Sequence, residues 1–435
     1  MITQQLLMDI RKQFPALMQA DDVGNVPIYF DGPGGSQVPH CVMQAMVAYL
    51  CLGNSNMGGY NQASVRTMAV NDLARQQARV WLGGGTKAQI VFGQNATSLM
   101  FMISRVIART WQAGDNIVLS SLDHYSHVSS WQQAADDAGV EVRMIPLNDT
   151  LNDLDYQAAE ELIDGRTRLV AITAASNLIG TMTDIARISQ MTKAVGALLS
   201  IDAVHAAVHI ASEFEAWGAD LLFASAYKIG GPHLGMMCAK HALLTQLRPY
   251  KVEPATNVVP MSYEQGTQSF ESQAGFVAMM RYWSALGLDD GLPSFDEVGT
   301  QSQYDLTATS RQKTYHKVMA YEQTQSQYLL EKFKQRPFLQ LYGKQSASNR
   351  TPTFAFNVIK AGVIQDGAKL SRWLAGYNIA LGFGNFYAKN LSERLADTGT
   401  VLRLGCLHYT TFAEIDRLFE LIDQAVCELY QITPP

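Results

Sequence analysis

No stretch of this chain approaches the roughly 18 consecutive apolar residues that a bilayer-spanning helix needs, so no membrane partner is expected. Cysteines are few: five in 435 residues, at Cys41, Cys51, Cys238, Cys406 and Cys427, with no C-x-x-C pair. An odd, scattered set suggests neither a disulfide framework nor a zinc site and suits a reducing cytoplasm. Basic residues are outnumbered, 33 against 39 acidic, for a net charge of −6. Without a Lys/Arg run, nucleic acid is not an expected partner. Internal repeats and low-complexity tracts are absent. The opening residues, MITQQLLMDIRKQF, lack the charged-then-apolar order of a signal peptide and read as an amphipathic helix.

What remains is an ordinary globular balance, 47% apolar and 17% charged, in a chain too long for one core and suited to two packed domains. From about residue 40 to 285, apolar runs such as AQIVFG (88–93), NIVLSS (116–121), EVRMIPL (141–147), RLVAITAAS (168–176) and ALLSIDA (197–203) read as buried strands. Stretches of helical length separate them. This alternation predicts an α/β fold with a mostly parallel sheet in a large domain spanning 24–290. Residues 291–312 are polar and rich in turn residues, which predicts a connecting excursion. A smaller α+β domain is expected over 313–435, opened by a helix from Lys317 to Phe333, and the helix within 1–20 could pack on it.

Four segments carry candidate chemistry. In SAYKIGGPHLG (225–235), Lys228 follows the buried run ADLLFAS and precedes Gly230, Gly231 and Pro232. Such a lysine is either a surface residue beside a turn or an amine presented where α/β sheets bind ligands, at a strand end. Asp202, in SIDAVHA, ends an apolar strand; it caps the next helix or pairs with a cationic ligand atom. In FGQNATSLMFMI (92–103), a strand runs through small polar residues into a helix, where Ala96 and Thr97 would cap that helix or cradle a phosphate. His124 lies just past another strand end, as a structural residue or as a ring stacked on a flat cofactor.

Together these segments resemble the class V aminotransferase family, most closely its cysteine desulfurase and selenocysteine lyase branch, from YFDGPGGSQVP (29–39) to EIDRLFELI (414–422). The resemblance implies a seven-stranded-type sheet, pyridoxal 5'-phosphate as cofactor and a small amino-acid substrate. Lys228 falls on the lysine that holds the cofactor, Asp202 on the aspartate that pairs with its ring nitrogen, and His124 on the ring-stacking histidine. Phosphate contacts fall on Ala96, Thr97 and Ser225, with Tyr227 in place of a common histidine. His205 stands where a glutamine usually meets the phenolic oxygen, and Asn177, in ASNLIGT, matches the asparagine beside ring and substrate. Thr267, in YEQGTQS, matches a threonine that reaches the partner subunit's phosphate, which implies a homodimer with a shared active site. Arg403, in TVLRLGCLHY, matches the arginine that clamps the substrate's α-carboxylate, a task suited to a planar fork.

The resemblance breaks at one place. Desulfurases carry a nucleophilic cysteine in a pattern like R-x-G-x-x-C-A; here NIALGFGNFYAKNL (378–391) has Tyr387 at the cysteine and Gly382 at the arginine. A phenol cannot carry sulfur as a persulfide. Among the other cysteines, Cys406 should point away from the Arg403 face, Cys238 reads as a buried strand residue, and Cys41, Cys51 and Cys427 read as packed helix residues. The expectation is a carbon–sulfur or carbon–selenium lyase, with another class V reaction (epimerase or transaminase) or a non-catalytic, cofactor-binding scaffold as alternatives. Tyr387 could act as acid, as substrate contact or as filler, and the glycine-rich loop around it could form a lid.

Overall fold

The structure is a computed structural model that describes residues 2–288, 292–294 and 299–435. Seven strands form the central sheet: β1 (Ala88–Gly93), β2 (Asn116–Ser120), β3 (Glu141–Ile145), β4 (Thr167–Thr173), β5 (Leu198–Asp202), β6 (Leu221–Ser225) and β7 (Gly235–Lys240). Their spatial order is β1-β7-β6-β5-β4-β2-β3. Neighbours from β6 through to β3 pair parallel, whereas β7 runs antiparallel to both β1 and β6. Helices cover both faces, which is why β2, β5 and β6 are buried almost residue for residue and read as apolar runs rather than alternating ones.

The register sets where chemistry can sit. Gly93, Gly235 and Ser225 lie side by side at one edge of the sheet, since Gly235 pairs with both. That edge is the carboxyl end of the parallel strands, where open α/β sheets place their ligands. Asp202 closes β5 at the same edge.

A second sheet is antiparallel throughout. Its long strand Thr353–Lys360 pairs with Leu339–Leu341, Val363–Ile364 and Val401–Gly405, and the last of these also pairs with Gly382–Gly384. Helices Gly367–Ala375 and Phe412–Tyr430 pack on it, around Phe333, Phe354, Phe356 and Phe419. The helix expected from Lys317 starts earlier, at Ala308, and continues to Lys334. Thr307 and Ser310 form a capping box there, a signal that the polar composition of 291–312 masked. Of that stretch, residues 291 and 295–298 lie outside the described residues. The long helix bridges two cores: Tyr315 lies 5.1 Å from Trp81 beneath the central sheet, while Phe333 lies 5.3 Å from Phe419 beneath the second.

The N-terminal helix Gln4–Lys12 buries Leu7 and Ile10, and Phe14 just beyond it, in the core of the central sheet. Arg11 also reaches the terminal helix, pairing with Glu414 at 2.9 Å. No helix among the described residues is long and apolar enough to cross a membrane.

Candidate active site

A cavity of about 800 Å³ opens at the carboxyl edge of the central sheet and is closed from the other side by the second sheet. Its first end is built to receive an anion. The side chain of Asn95 caps helix Ala96–Ala108 by accepting the Ser98 amide at 2.8 Å. The amides of Ala96 and Thr97, one residue inside, have no intramolecular partner among the described residues, as the first turn of a helix leaves them. Ser225, at the end of β6, lines the cavity too. Gly235 lets β7 pass beneath: a Cβ on it would lie 2.2 Å from the Asn95 carbonyl carbon and 2.7 Å from the Ala96 nitrogen.

Asp202 lies buried at the end of β5 and accepts the Val204 amide at 2.8 Å. Burial pushes its carboxyl up to about 6, against the pull of His127 and of that amide. Behind it His127 joins Asp123 at 2.6 Å and Ser200 at 2.8 Å, all three buried.

Lys228 sits on one turn of 3-10 helix, Ala226–Ile229, which ends at Gly230 in the left-handed region (φ 95°). Its amine donates to the Pro33 carbonyl and lies 4.9 Å over the Tyr227 ring. Burial, reinforced by the Arg403 charge, brings the ammonium down to about 8. The same causes, burial first and then Lys228 and Arg403, pull His124 down to about 4. His124 caps helix Tyr125–Ala138, its Nδ1 accepting the Ser126 amide at 3.1 Å. His205 is buried; its Nε2 meets the Thr351 hydroxyl at 3.0 Å, across the junction of the two sheets.

Arg403 projects from strand Val401–Gly405. It pairs with Asp31 at 2.5 Å, donates to the Asn177 carbonyl at 3.2 Å and stacks 3.8 Å from the Phe386 ring centre. Asn177 donates in turn to the Phe386 carbonyl at 2.9 Å. Three buried atoms in this wall have no hydrogen-bond partner among the described residues: Asn177 Oδ1, His205 Nδ1 and Arg403 Nε.

Eleven of the residues singled out in the sequence therefore meet in one cavity: Ala96, Thr97, His124, Asn177, Asp202, His205, Ser225, Tyr227, Lys228, Tyr387 and Arg403. Thr267 does not. It is exposed and lines a separate hollow of about 360 Å³ beside Ser98 and His233.

Tyr387 stands at the cavity mouth, 70% exposed, with Phe386 and Tyr387 both in the left-handed region (φ 52° and 56°). The loop around it is hydrogen-bonded to both sheets' surroundings. Gly382–Gly384 pair with the Arg403 strand, Asn177 holds the Phe386 carbonyl, and the Tyr125 amide donates to the Tyr387 carbonyl at 2.7 Å. A Cβ on Gly382 would lie 2.7 Å from the Phe386 ring, which would have to shift to admit it. No cysteine lines the cavity. Cys41, Cys238 and Cys406 are buried, and burial pushes their thiols up, Cys41 to about 12. Cys51 and Cys427 correct the sequence reading: both lie on helices, as expected, but on their exposed faces rather than packed inside.

Sequence reasoning passed over Asp31 and Phe386. An acid directly before Gly-Pro-Gly, at 31–34, was the available signal for the first; nothing in the sequence separates Phe386 from its neighbours.

The cavity fits pyridoxal phosphate by its donor set. Unpaired amides and hydroxyls at one end suit a phosphate, the buried Asp202 carboxyl suits a protonated ring nitrogen, and an amine made less basic by burial suits an aldehyde. The family model described as Aminotransferase class-V matches residues 28–292 and 306–418. A cysteine desulfurase from Pectobacterium atrosepticum is 27% identical over 94% of this chain and 95% of its own length. One from Klebsiella pneumoniae subsp. pneumoniae is 29% identical over the same shares. Among solved structures, the apo cysteine desulfurase of Thermococcus onnurineus superposes with a TM-score of 0.83 at 21% identity, covering 99% of this chain and all of that one. The S-sulfonic acid form of a cysteine desulfurase from Escherichia coli gives 0.77 at 23%, over 97% and 98%. Matched along nearly its whole length, and with a cavity suited to the family's cofactor, the chain belongs to the aminotransferase class-V family and is a pyridoxal-phosphate-dependent enzyme.

Proposed function

We propose that the enzyme cleaves the bond between Cβ and sulfur or selenium in an amino acid, without a protein thiol as relay. The observation that carries this reading is the cavity itself: amine, buried carboxyl, anion cradle and guanidinium face one space, and the lining includes a phenol, Tyr387, but no cysteine. Cofactor bound there supplies an electron sink for the electrons of a bond broken at Cα. Ala96, Thr97 and Ser225 would hold its phosphate, Asp202 would keep a proton at its ring nitrogen, and His124, Asn177, His205 and Tyr227 would contact its ring. Arg403 seats the α-carboxylate. Lys228, with its ammonium brought down to about 8, has a neutral fraction near neutral pH and can take the Cα proton and return it. Tyr387 shields the mouth.

The homodimer belongs to the same proposal. Met43, Val47 and Leu50 are exposed on helix His40–Cys51, beside exposed Leu52, an apolar surface that a second copy would cover. Thr267 is exposed, as a residue that reaches a second copy must be. A cytoplasmic setting agrees with five free cysteines.

The test is a product assay on the cofactor-loaded protein with cysteine, selenocysteine and S-substituted cysteine sulfoxides. Alanine or pyruvate supports the lyase. Alanine identifies transfer of zero-valent sulfur or selenium from Cβ to a small-molecule thiol supplied in the assay, and pyruvate, with ammonia and the departing sulfur or selenium group, identifies β-elimination. Neither product, with a visible spectrum unmoved by any amino acid, overturns the reading in favour of a scaffold. Lys228→Ala should lose the borohydride-reducible cofactor bond, and label retained on another lysine would refute the assignment of Lys228.

A further inference from the structure

Asp31 is the carboxylate that pairs with Arg403 in this structure. Its Oδ1 lies 2.5 Å from one terminal nitrogen of the guanidinium. The contact is single, because Arg403 Nε stays buried without a partner. A free carboxylate spanning both nitrogens would form two parallel bonds where Asp31 forms one.

The two partners differ in what separation costs them. The Arg403 side chain is 4% exposed and the Asp31 side chain 42%. Asp31 can turn into water; Arg403 cannot, and would keep the Asn177 carbonyl and the Phe386 ring but no carboxylate to balance its buried charge. The backbone around Asp31 is fixed on both sides. The Phe30 amide donates to the Ala380 carbonyl at 2.9 Å, and the Ser36 amide to the Tyr227 carbonyl at 3.2 Å. Gly34 leaves room for the carboxylate, since a Cβ there would lie 2.1 Å from Asp31 Oδ2. Only the side chain needs to move.

We propose that Asp31 is a tethered carboxylate holding the substrate-carboxylate seat of Arg403, which the substrate displaces on binding. The residue thereby sets affinity for the α-carboxylate and keeps the buried guanidinium neutralised between turnovers. This rests on Arg403 being the carboxylate seat.

The experiment titrates propanoate, a carboxylate with no amine to react, into the cofactor-loaded protein by calorimetry. Wild type, Asp31→Asn, Asp31→Ser and Arg403→Gln are compared. If Asp31 fills the seat nine-tenths of the time, removing its charge tightens propanoate binding about tenfold. In steady state, both Asp31 variants should then lower KM by more than they change kcat. Propanoate binding lost in Arg403→Gln but unchanged or weaker in both Asp31 variants overturns the proposal and leaves Asp31 as a residue that orients Arg403. Binding that survives Arg403→Gln overturns instead the assignment of Arg403 as the seat.

Discussion

The rings of His124 and Tyr387 lie 5.3 Å apart and tilted by 34°, although the two residues are 263 positions apart in sequence and belong to different sheets' surroundings. His124 caps a helix of the central layer; Tyr387 hangs from the loop that follows strand Gly382–Gly384. Their approach closes the mouth of the cavity over the place where the ring-stacking histidine is expected to meet the cofactor.

This contact makes the role of Tyr387 measurable. Its hydroxyl has no hydrogen-bond partner among the described residues, whereas its ring faces His124. Removal of a general acid costs on the order of 100-fold or more, so Tyr387→Phe, expected to change kcat/KM by less than about threefold, separates shielding from proton transfer. Tyr387→Ala should lose more than Tyr387→Phe. Equal losses in the two variants would assign the hydroxyl to the chemistry.

Cofactor capture should titrate with Lys228. Only the neutral amine attacks an aldehyde, so the rate at which apo-protein takes up pyridoxal phosphate should rise with pH and level off above about 8. Arg403 is one cause of the lowered value, so Arg403→Gln should move the inflection to higher pH. Stopped-flow absorbance over pH 6.5–9.5, roughly centred on that value, reads both; an inflection indifferent to Arg403 would show that the two charges do not interact.

Asp202 predicts an unusual stability profile for the apo-protein. Its folded value, about 6, lies above the ordinary carboxyl value of 3.8, so the folded state favours the protonated carboxyl. Stability from this group is complete below about pH 4 and is lost as pH rises through 6. At pH 8 the buried charge therefore costs about 1–3 kcal/mol, and Asp202→Asn should recover it in urea unfolding of apo-protein at pH 8 but not at pH 4.5. The same variant should bind cofactor more weakly, since the ring nitrogen loses its anionic partner.

Gly235 offers a test of the anion cradle from behind. A methyl group at 235 would collide with backbone rather than with a side-chain end, so the helix start at Asn95 and Ala96 must shift. Disturbing one hydrogen bond to a charged group costs about 1.5–3 kcal/mol, so Gly235→Ala should weaken cofactor retention roughly tenfold or more in equilibrium dialysis. Unchanged retention would place the phosphate elsewhere.

The buried pair of His209 and Glu322, 2.9 Å apart, joins the region behind His205 to the long helix Ala308–Lys334. Glu322→Ala leaves a buried imidazole nitrogen without its hydrogen-bond partner and should cost about 1–3 kcal/mol in urea unfolding. Glu160→Ala, at a surface pair with Arg187, should cost no more than about 1 kcal/mol.

Much of this enzyme is determined by sequence alone, for a local reason. Apolar runs of strand length alternating with amphipathic stretches can bury themselves only as a covered, mostly parallel sheet, and the residues that end those runs must then share one edge. Asp202, Ser225, Thr97 and His124 could be placed at this edge because each ends a strand or lies at the start of the next helix, and Lys228 because it lies on the single turn after Ser225. The antiparallel course of β7 was not: its apolar run GMMCAK carries no mark of direction, and only pairing with β1 and β6 fixes it. Arg403 and Asn177 could be named from their motifs, but their meeting with Asp31 and Phe386 depends on how the second sheet docks on the first. Tertiary structure also decided which cysteines face water, since the helix pattern around Cys51 and Cys427 does not say which face finds a partner. Contacts between segments hundreds of residues apart arise from packing, and a one-dimensional pattern records only each segment's need to be covered, not what covers it.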